Sequence, residues 1–302
     1  MGYPELDARL LEGESGARGA GERTPRRRDR AYVGLATCAG VPEGDEDEAE
    51  LVAALAALGV DSRTVVWDDP GVDWEDFDLT VVRSAWDYAE RRDDFLAWAA
   101  RLRRVLNPLP LLTWNTDKQR YLTDLVSAGV PVVPTAFVEP GEAFRPPEKP
   151  FVVKPSISAG GRSSARFDRG EGDAAAGLVS RIHSEGRTAM VQPFLGELGE
   201  TALVYLGGRY SHSVRRRVPL PRVGATGDLF LEEQLAPAEA TPAEREVADR
   251  ALEHVPGELL YARVDLMDGA VLELEVTEPS LYLGLGHGAV RRFAESIAAT
   301  LG

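Results

Sequence analysis

The stretch from Ala262 to Ser280, ARVDLMDGAVLELEVTEPS, carries three carboxylates, Asp265, Glu273 and Glu275, spaced to gather a cation. Side chains alternate faces along a strand, and directly opposed residues of a hairpin share a face. A three-residue loop, Met267-Asp268-Gly269 or Asp268-Gly269-Ala270, pairs odd numbers with odd. Arg263, Asp265, Glu273 and Glu275 then share one face, and Val264, Leu266, Leu272 and Leu274 the other. A two-residue Asp268-Gly269 turn would mix acids with leucines, so the apolar pattern favours the longer loop. Crowded carboxylates repel unless a cation lies between them, and an all-oxygen donor set suits hard Mg²⁺ or Mn²⁺. Taken alone, the segment also fits a solvated acidic sheet face.

Positive charge lies upstream. Phe151-Val-Val-Lys154-Pro155 reads as a strand, followed at once by the Gly/Ser-rich run from Ser156 to Ser164. Small residues let backbone N–H groups approach phosphate oxygens, hydroxyls add donors, and a lysine adds a point charge. The lysine precedes the glycines, so this is not the P-loop pattern, and a surface hairpin is the simpler alternative for the turn alone. The run Arg215-Arg216-Arg217 ends a second strand and could turn one arginine toward an anionic site. Residues 219–234 lack periodicity and suit a mobile loop over a site. His183, His212, His254 and His287 are scattered, with none spaced as a metal pair.

The elements that must position these groups follow from periodicity. Residues 31–37, 62–67 and 78–83 are β-rich and 46–58 has helical spacing, which implies a parallel-type sheet with covering helices. The Arg83-Ser-Ala-Trp-Asp-Tyr88 segment falls where such sheets place ligand-contacting loops, at carboxyl strand ends. A helix begins near Asn115, with Asn115 or Thr116 as its cap, and ends at Gly129. Residues 190–195, 201–206 and 210–214 read as strands, 241–254 as a helix opened by Thr241-Pro242, and 288–301 as a closing amphipathic helix. The division expected is a flexible leader over 1–30, an α/β substrate subdomain over 31–113, a lid over 114–192 and a metal-bearing subdomain over 193–302.

Composition bounds the function. A chain of 302 residues with 44% hydrophobic content supports two or three packed subdomains. A net charge of −15 argues against nucleic-acid or anionic-membrane partners. Cys38 is the single cysteine, so no intrachain disulfide forms, and a cytoplasmic setting is expected. Apolar runs are too short to span a bilayer, and a homodimer is the prior for assembly.

Taken in order, these segments resemble the ATP-grasp superfamily, in its glutathione-synthetase-like branch. The resemblance rests on Lys118 opening a helix, Lys154 before its Gly/Ser loop, Gln192-Pro193-Phe194, Gly199-Glu200, Arg217-Val-Pro219, and Val264-Asp265 with the run from Glu273 to Pro279. It implies an ATP-grasp fold behind a Rossmann-like N-terminal subdomain, and a ligase that activates a carboxylate as an acyl phosphate for attack by nitrogen. By resemblance, Lys118, Lys154, Ser158, Gly160, Gly161 and Ser163 would contact ATP phosphates, residues 192–194 would hold adenine, and Glu200 the ribose. Asp265, Glu273 and Glu275 would hold two Mg²⁺ ions, with Arg217, Arg263 and Lys154 steadying the transferred phosphoryl group. The family's metal motif usually reads acid, apolar, asparagine; here Glu275 adds a charge in the last position. Thr201-Ala202 stands where the glutathione synthetase pattern is basic, which speaks against that substrate.

The words RSAWDY, WNTDK and EPSLYL narrow the resemblance to ligases that close O-ureido-D-serine to D-cycloserine. An amino-acid-like small molecule is then the expected substrate, with Arg83, Asp87, Tyr88, Ser280 and Tyr282 as the acceptor pocket by position beside strand ends and the acidic motif. An intermolecular carboxylate–amine ligase and an ATP-binding regulatory module without turnover are the alternatives.

Overall fold

The computed structural model describes residues 29–161, 163–196, 199–217 and 233–302. The leader and the loop over 219–234 therefore fall almost wholly outside the described residues.

Strands β1 (Tyr32–Thr37), β2 (Asp61–Val66), β3 (Leu79–Ser84) and β4 (Val105–Leu106) form a parallel sheet in the order β2-β1-β3-β4. The central strands β1 and β3 are buried along almost their whole length, as strands covered on both faces must be. Chain order reverses between β1 and β3, so the loops leaving their carboxyl ends diverge and open a crevice. Helix α1 (Glu48–Ala57) covers one face; α2 (Arg92–Ala99) covers the other with Trp67, Phe95 and Trp98.

Helices α3 (Leu109–Asn115) and α4 (Lys118–Ser127) come next. The helix expected to start at Asn115 instead starts at Lys118, and its cap is Asp117, whose carboxylate accepts from the Gln119 N–H at 3.1 Å. Asn115 closes the preceding helix because its buried amide has another task. It donates to Leu274 O at 2.7 Å and accepts from the Val276 N–H at 2.9 Å, pinning the end of the acidic hairpin.

A second, antiparallel sheet runs β5 (Ala136–Val138), β6 (Phe151–Pro155), β7 (Ala165–Phe167) and β8 (Ala189–Pro193), in the order β5-β8-β6-β7. Its helix α5 (Gly172–Ser184) went unread from sequence because its first half, GDAAAG, carries no large apolar residue to mark a period.

The third sheet has β9 (Glu200–Leu206), β10 (Arg209–Arg217), β11 (Gln234–Ala238), β12 (Tyr261–Met267) and β13 (Ala270–Glu275), in the order β11-β10-β9-β12-β13. One face carries Leu203, Tyr205, Ala262 and Val264 against α4 and α6 (Pro242–Glu253), which opens on a Thr241/Glu244 capping box. The opposite face packs Val204, Leu206 and Tyr261 against β1, β3 and α7 (Ala289–Ala299). By the strand alternation, the remainder of this second face presents Arg263 and Asp265. No helix of the described residues is long and apolar enough to cross a membrane.

Asn107 joins the parallel sheet to the third one: its amide donates to Tyr261 O at 2.9 Å and Val276 O at 2.7 Å and accepts from the Leu260 N–H at 2.7 Å. Asn107→Ala leaves these buried groups unpaired and is expected to lower unfolding free energy by about 3 kcal/mol in urea titration; a loss under about 1 kcal/mol would contradict the assignment.

Candidate active site

The acidic hairpin puts its acids on the expected common face, but through the two-residue turn that the apolar pattern argued against. Met267 lies opposite Ala270, so the loop is the two-residue Asp268-Gly269 turn, with φ of 52° and 73°. Positive φ at both positions is the primed turn that Asp-Gly favours. A bulge follows: Leu266 faces Val271, but Asp265 faces Glu273, and Leu272 is the extra residue. The bulge shifts parity by one, which restores Arg263 opposite Glu275 and puts the acids on one face. Leu272, expected among the core leucines, instead lines the cavity beside Glu273. Asp265, Glu273 and Glu275 each bring a carboxylate oxygen within 4.8 Å of the others.

Cations hold this cluster together. Arg263 binds Asp265 through two nitrogens at 2.9 and 3.0 Å and Glu275 at 2.7 Å. Lys154 from β6 pairs with Glu273. Burial raises the Glu273 carboxyl, but Lys154 and Lys118 outweigh it and hold the group well below the carboxylate range. Burial pushes Glu275 up to about 7, despite Arg263, with Asp265 and Glu273 adding repulsion. An oxygen-only set this close, with burial raising one member, fits a hard divalent cation.

One cavity of about 1170 Å³ joins this hairpin to the other expected groups. Lys118, Lys154, Ser158, Gly160 and Gly161 line it, with φ of 61° and 72° at the two glycines bending the turn that follows β6. Lys118 Nζ donates to Ser158 O at 2.6 Å, tying α4 to that turn. Ser163, expected to contact phosphate, is exposed outside the wall, and Ser164 lines it instead. Gln192, Pro193 and Phe194 line it too, at the end of the strand beside Lys154, and Arg166 stacks on Phe194 with its guanidinium carbon 3.9 Å from the ring centre.

Glu200 also lines the cavity, and here the arginine run is corrected. Arg216 is the inward residue, reaching Glu200 at 2.7 Å, Glu233 at 2.8 Å and Asp265 at 3.0 Å. Arg217 lies at the rim, exposed, because neighbours on a strand point to opposite faces. Nothing in the sequence ranks three consecutive arginines; only the strand register does.

The acceptor-pocket expectations divide. Tyr88, Ser280 and Tyr282 line the cavity, with Tyr282 in the left-handed region at φ 48° and its hydroxyl donating to Glu233 at 2.6 Å. Burial first, then Glu278, push the Tyr88 hydroxyl well above its ordinary range. Arg83 and Asp87 do not line it. Arg83 is wholly buried, paired to Asp45 at 2.9 Å and Glu48 at 3.4 Å, and Asp87 turns away to Arg91 at 2.6 Å and the Trp67 indole at 2.8 Å. The wall they were expected to form comes from the loop after β1, where Asp45 lines the cavity and Asp47 accepts from the Leu283 and Gly284 N–H groups at 2.7 and 2.8 Å. That loop carries acids without periodicity, so sequence gave no signal for it.

Residues 33–107 match the family described as the N-terminal domain of D-cycloserine synthetase DcsG. Over 284 aligned residues the chain is 35% identical to the cycloserine biosynthesis protein DcsG of Streptomyces lavendulae, covering 85% of this chain and 94% of that protein. The chain belongs to the DcsG family. Its fold superposes on the crystal structure of D-cycloserine synthetase DcsG with a TM-score of 0.78 at 32% identity, over 90% of this chain and 100% of that one. D-alanine–D-alanine ligase from Bacillus anthracis shares the fold at a TM-score of 0.62 and 13% identity, over 90% of this chain and 97% of that one. The architecture is thus the ATP-grasp fold, and the DcsG-family chain is an enzyme, an ATP-dependent ligase that forms a C–N bond. The reading as a regulatory module gives way.

Removing Arg216 leaves Glu200, Glu233 and Asp265 without their shared cation. Arg216→Met is expected to lower kcat/KM by about 100-fold, whereas Arg217→Met costs less than about tenfold. Steady-state ADP release on the two variants checks this; equal losses would favour the rim arginine.

Proposed function

We propose that this enzyme closes O-ureido-D-serine to D-cycloserine. The observation that carries the reading is where the family likeness falls: residues 33–107 supply Asp45, Trp86 and Tyr88 to the cavity, and match the N-terminal domain of D-cycloserine synthetase. The acidic surface, at a net charge of −15, supports a small-molecule substrate over nucleic acid or anionic membrane.

Lys118 and Lys154 bind the triphosphate as point charges, and the Gly160-Gly161 turn offers backbone donors to its oxygens. Residues 192–194 hold the base, and Glu200 receives the ribose. Asp265, Glu273 and Glu275 would hold hard cations such as Mg²⁺, which supply charge neutralisation as the γ-phosphoryl group moves. Arg263 and Arg216 place fixed positive charge around these acids and orient them. The substrate carboxylate attacks the γ-phosphorus, and ADP leaves. The ureido nitrogen bonded to oxygen then attacks the acyl carbon, and phosphate leaves that carbon; water cleaves the carbamoyl group from the same nitrogen as carbamic acid, which breaks down to carbon dioxide and ammonia, and the ring nitrogen takes the proton. Both reacting groups belong to one molecule, so the wall around Tyr88 and Ser280 has only to fold it on itself, an advantage of proximity.

Incubation with ATP, Mg²⁺ and O-ureido-D-serine is expected to give ADP and D-cycloserine in equal amounts; ADP released only with a second amine would instead mark an intermolecular ligase. Glu273→Gln is expected to abolish turnover, by about 100-fold or more, with an unchanged circular dichroism spectrum. Because Glu275 sits near 7 without metal, a cation must displace its proton in acid. Calorimetric Mg²⁺ affinity is expected to fall about tenfold per pH unit below about 7 and to level off above it.

A further inference from the structure

Most carboxylates around the cavity already have a cation, the loop acids Glu46 and Asp47 aside. Glu273 has Lys154, Asp265 and Glu275 have Arg263, Glu200 and Glu233 have Arg216, and Asp45 has Arg83. Glu278 is the exception among the buried acids of the described residues. It lines the cavity at 8% exposure, makes no ion pair, and accepts only from its own backbone N–H. The nearest positive charges are committed elsewhere, Lys118 to Ser158 and Arg263 to Asp265, Glu275 and Ser280 O.

A buried carboxylate without a counter-charge is costly, and a fold keeps one where a ligand completes it. The backbone of Glu278 is fixed: Trp86 Nε1 donates to Glu278 O at 3.0 Å, and Pro279 follows. Glu278 lies three residues beyond Glu275, at the join between the acidic hairpin and the Tyr88 wall. In an amino acid the ammonium sits one carbon away from the carboxylate that is phosphorylated. Its counter-charge must therefore lie beside the metal-binding acids without being one of them, which is the place Glu278 occupies.

We infer that Glu278 binds the protonated α-amino group of the substrate and selects amino-acid ligands over their des-amino counterparts. The inference rests on the substrate reading above. Accepting hydrogen bonds from the ureido N–H groups is the competing role for Glu278, which a des-amino analogue separates because it keeps the urea.

The test compares wild type and Glu278→Gln with O-ureido-D-serine and with 3-(ureidooxy)propanoic acid, following ADP release and MgATP affinity. MgATP affinity is expected to be unchanged within about threefold, showing an intact fold. KM for O-ureido-D-serine should rise about 100-fold, with kcat far less affected, while KM for the des-amino acid stays the same in both enzymes. Glu278→Asp should recover part of the loss. A KM for O-ureido-D-serine that stays within threefold, or one that rises equally for both acids, overturns the inference. Failure of the substrate reading looks different: wild type itself then releases no ADP with O-ureido-D-serine.

Discussion

The site depends on one electrostatic constraint: carboxylates brought within 4.8 Å of one another in a buried sheet face must be balanced. Arg263 and Arg216 supply the balance from within the third sheet, and Lys154 supplies it from the second. Each cation serves at least one acid, and Arg216 serves three. Because Lys154 belongs to a different sheet, its pair with Glu273 also fixes how the second sheet closes over the third.

The backbone carries the same logic. An Asp268-Gly269 turn alone would put Glu273 and Glu275 on the core face. The bulge at Leu272 turns them back toward the cavity and leaves Val271 and Leu274 for the core. Asn115 and Asn107, two buried amides from the segment entering the second sheet, then hold the strand end beyond the acids. The acids are held from behind by neutral hydrogen bonds and from the front by cations, so they can exchange cation partners without losing position.

Much of this was legible in the residues. The parallel sheet showed in apolar runs, the acidic face in strand parity, and the lysines that line the cavity in their position before a helix and a Gly/Ser turn. What misled was local. Three arginines in a row look alike until register selects Arg216, Arg83 looks like a pocket residue until Asp45 and Glu48 claim it, and Asn115 looks like a cap until Leu274 does. Helix α5 was invisible because alanine and glycine carry too little apolar contrast to mark a period.

By itself the sequence determined the donor chemistry: which side chains could hold phosphate, which could hold a hard cation, and which alternation would place them on a common face. Those properties belong to residue type and to short-range geometry. The tertiary structure alone decided which charges meet. Arg216 and Glu200 are neighbours across a strand pair, but Lys154 and Glu273 lie 119 residues apart, and that Glu278 lacks a cation is visible only once the other buried acids are paired. Charge pairing acts through space, at distances that chain position does not encode.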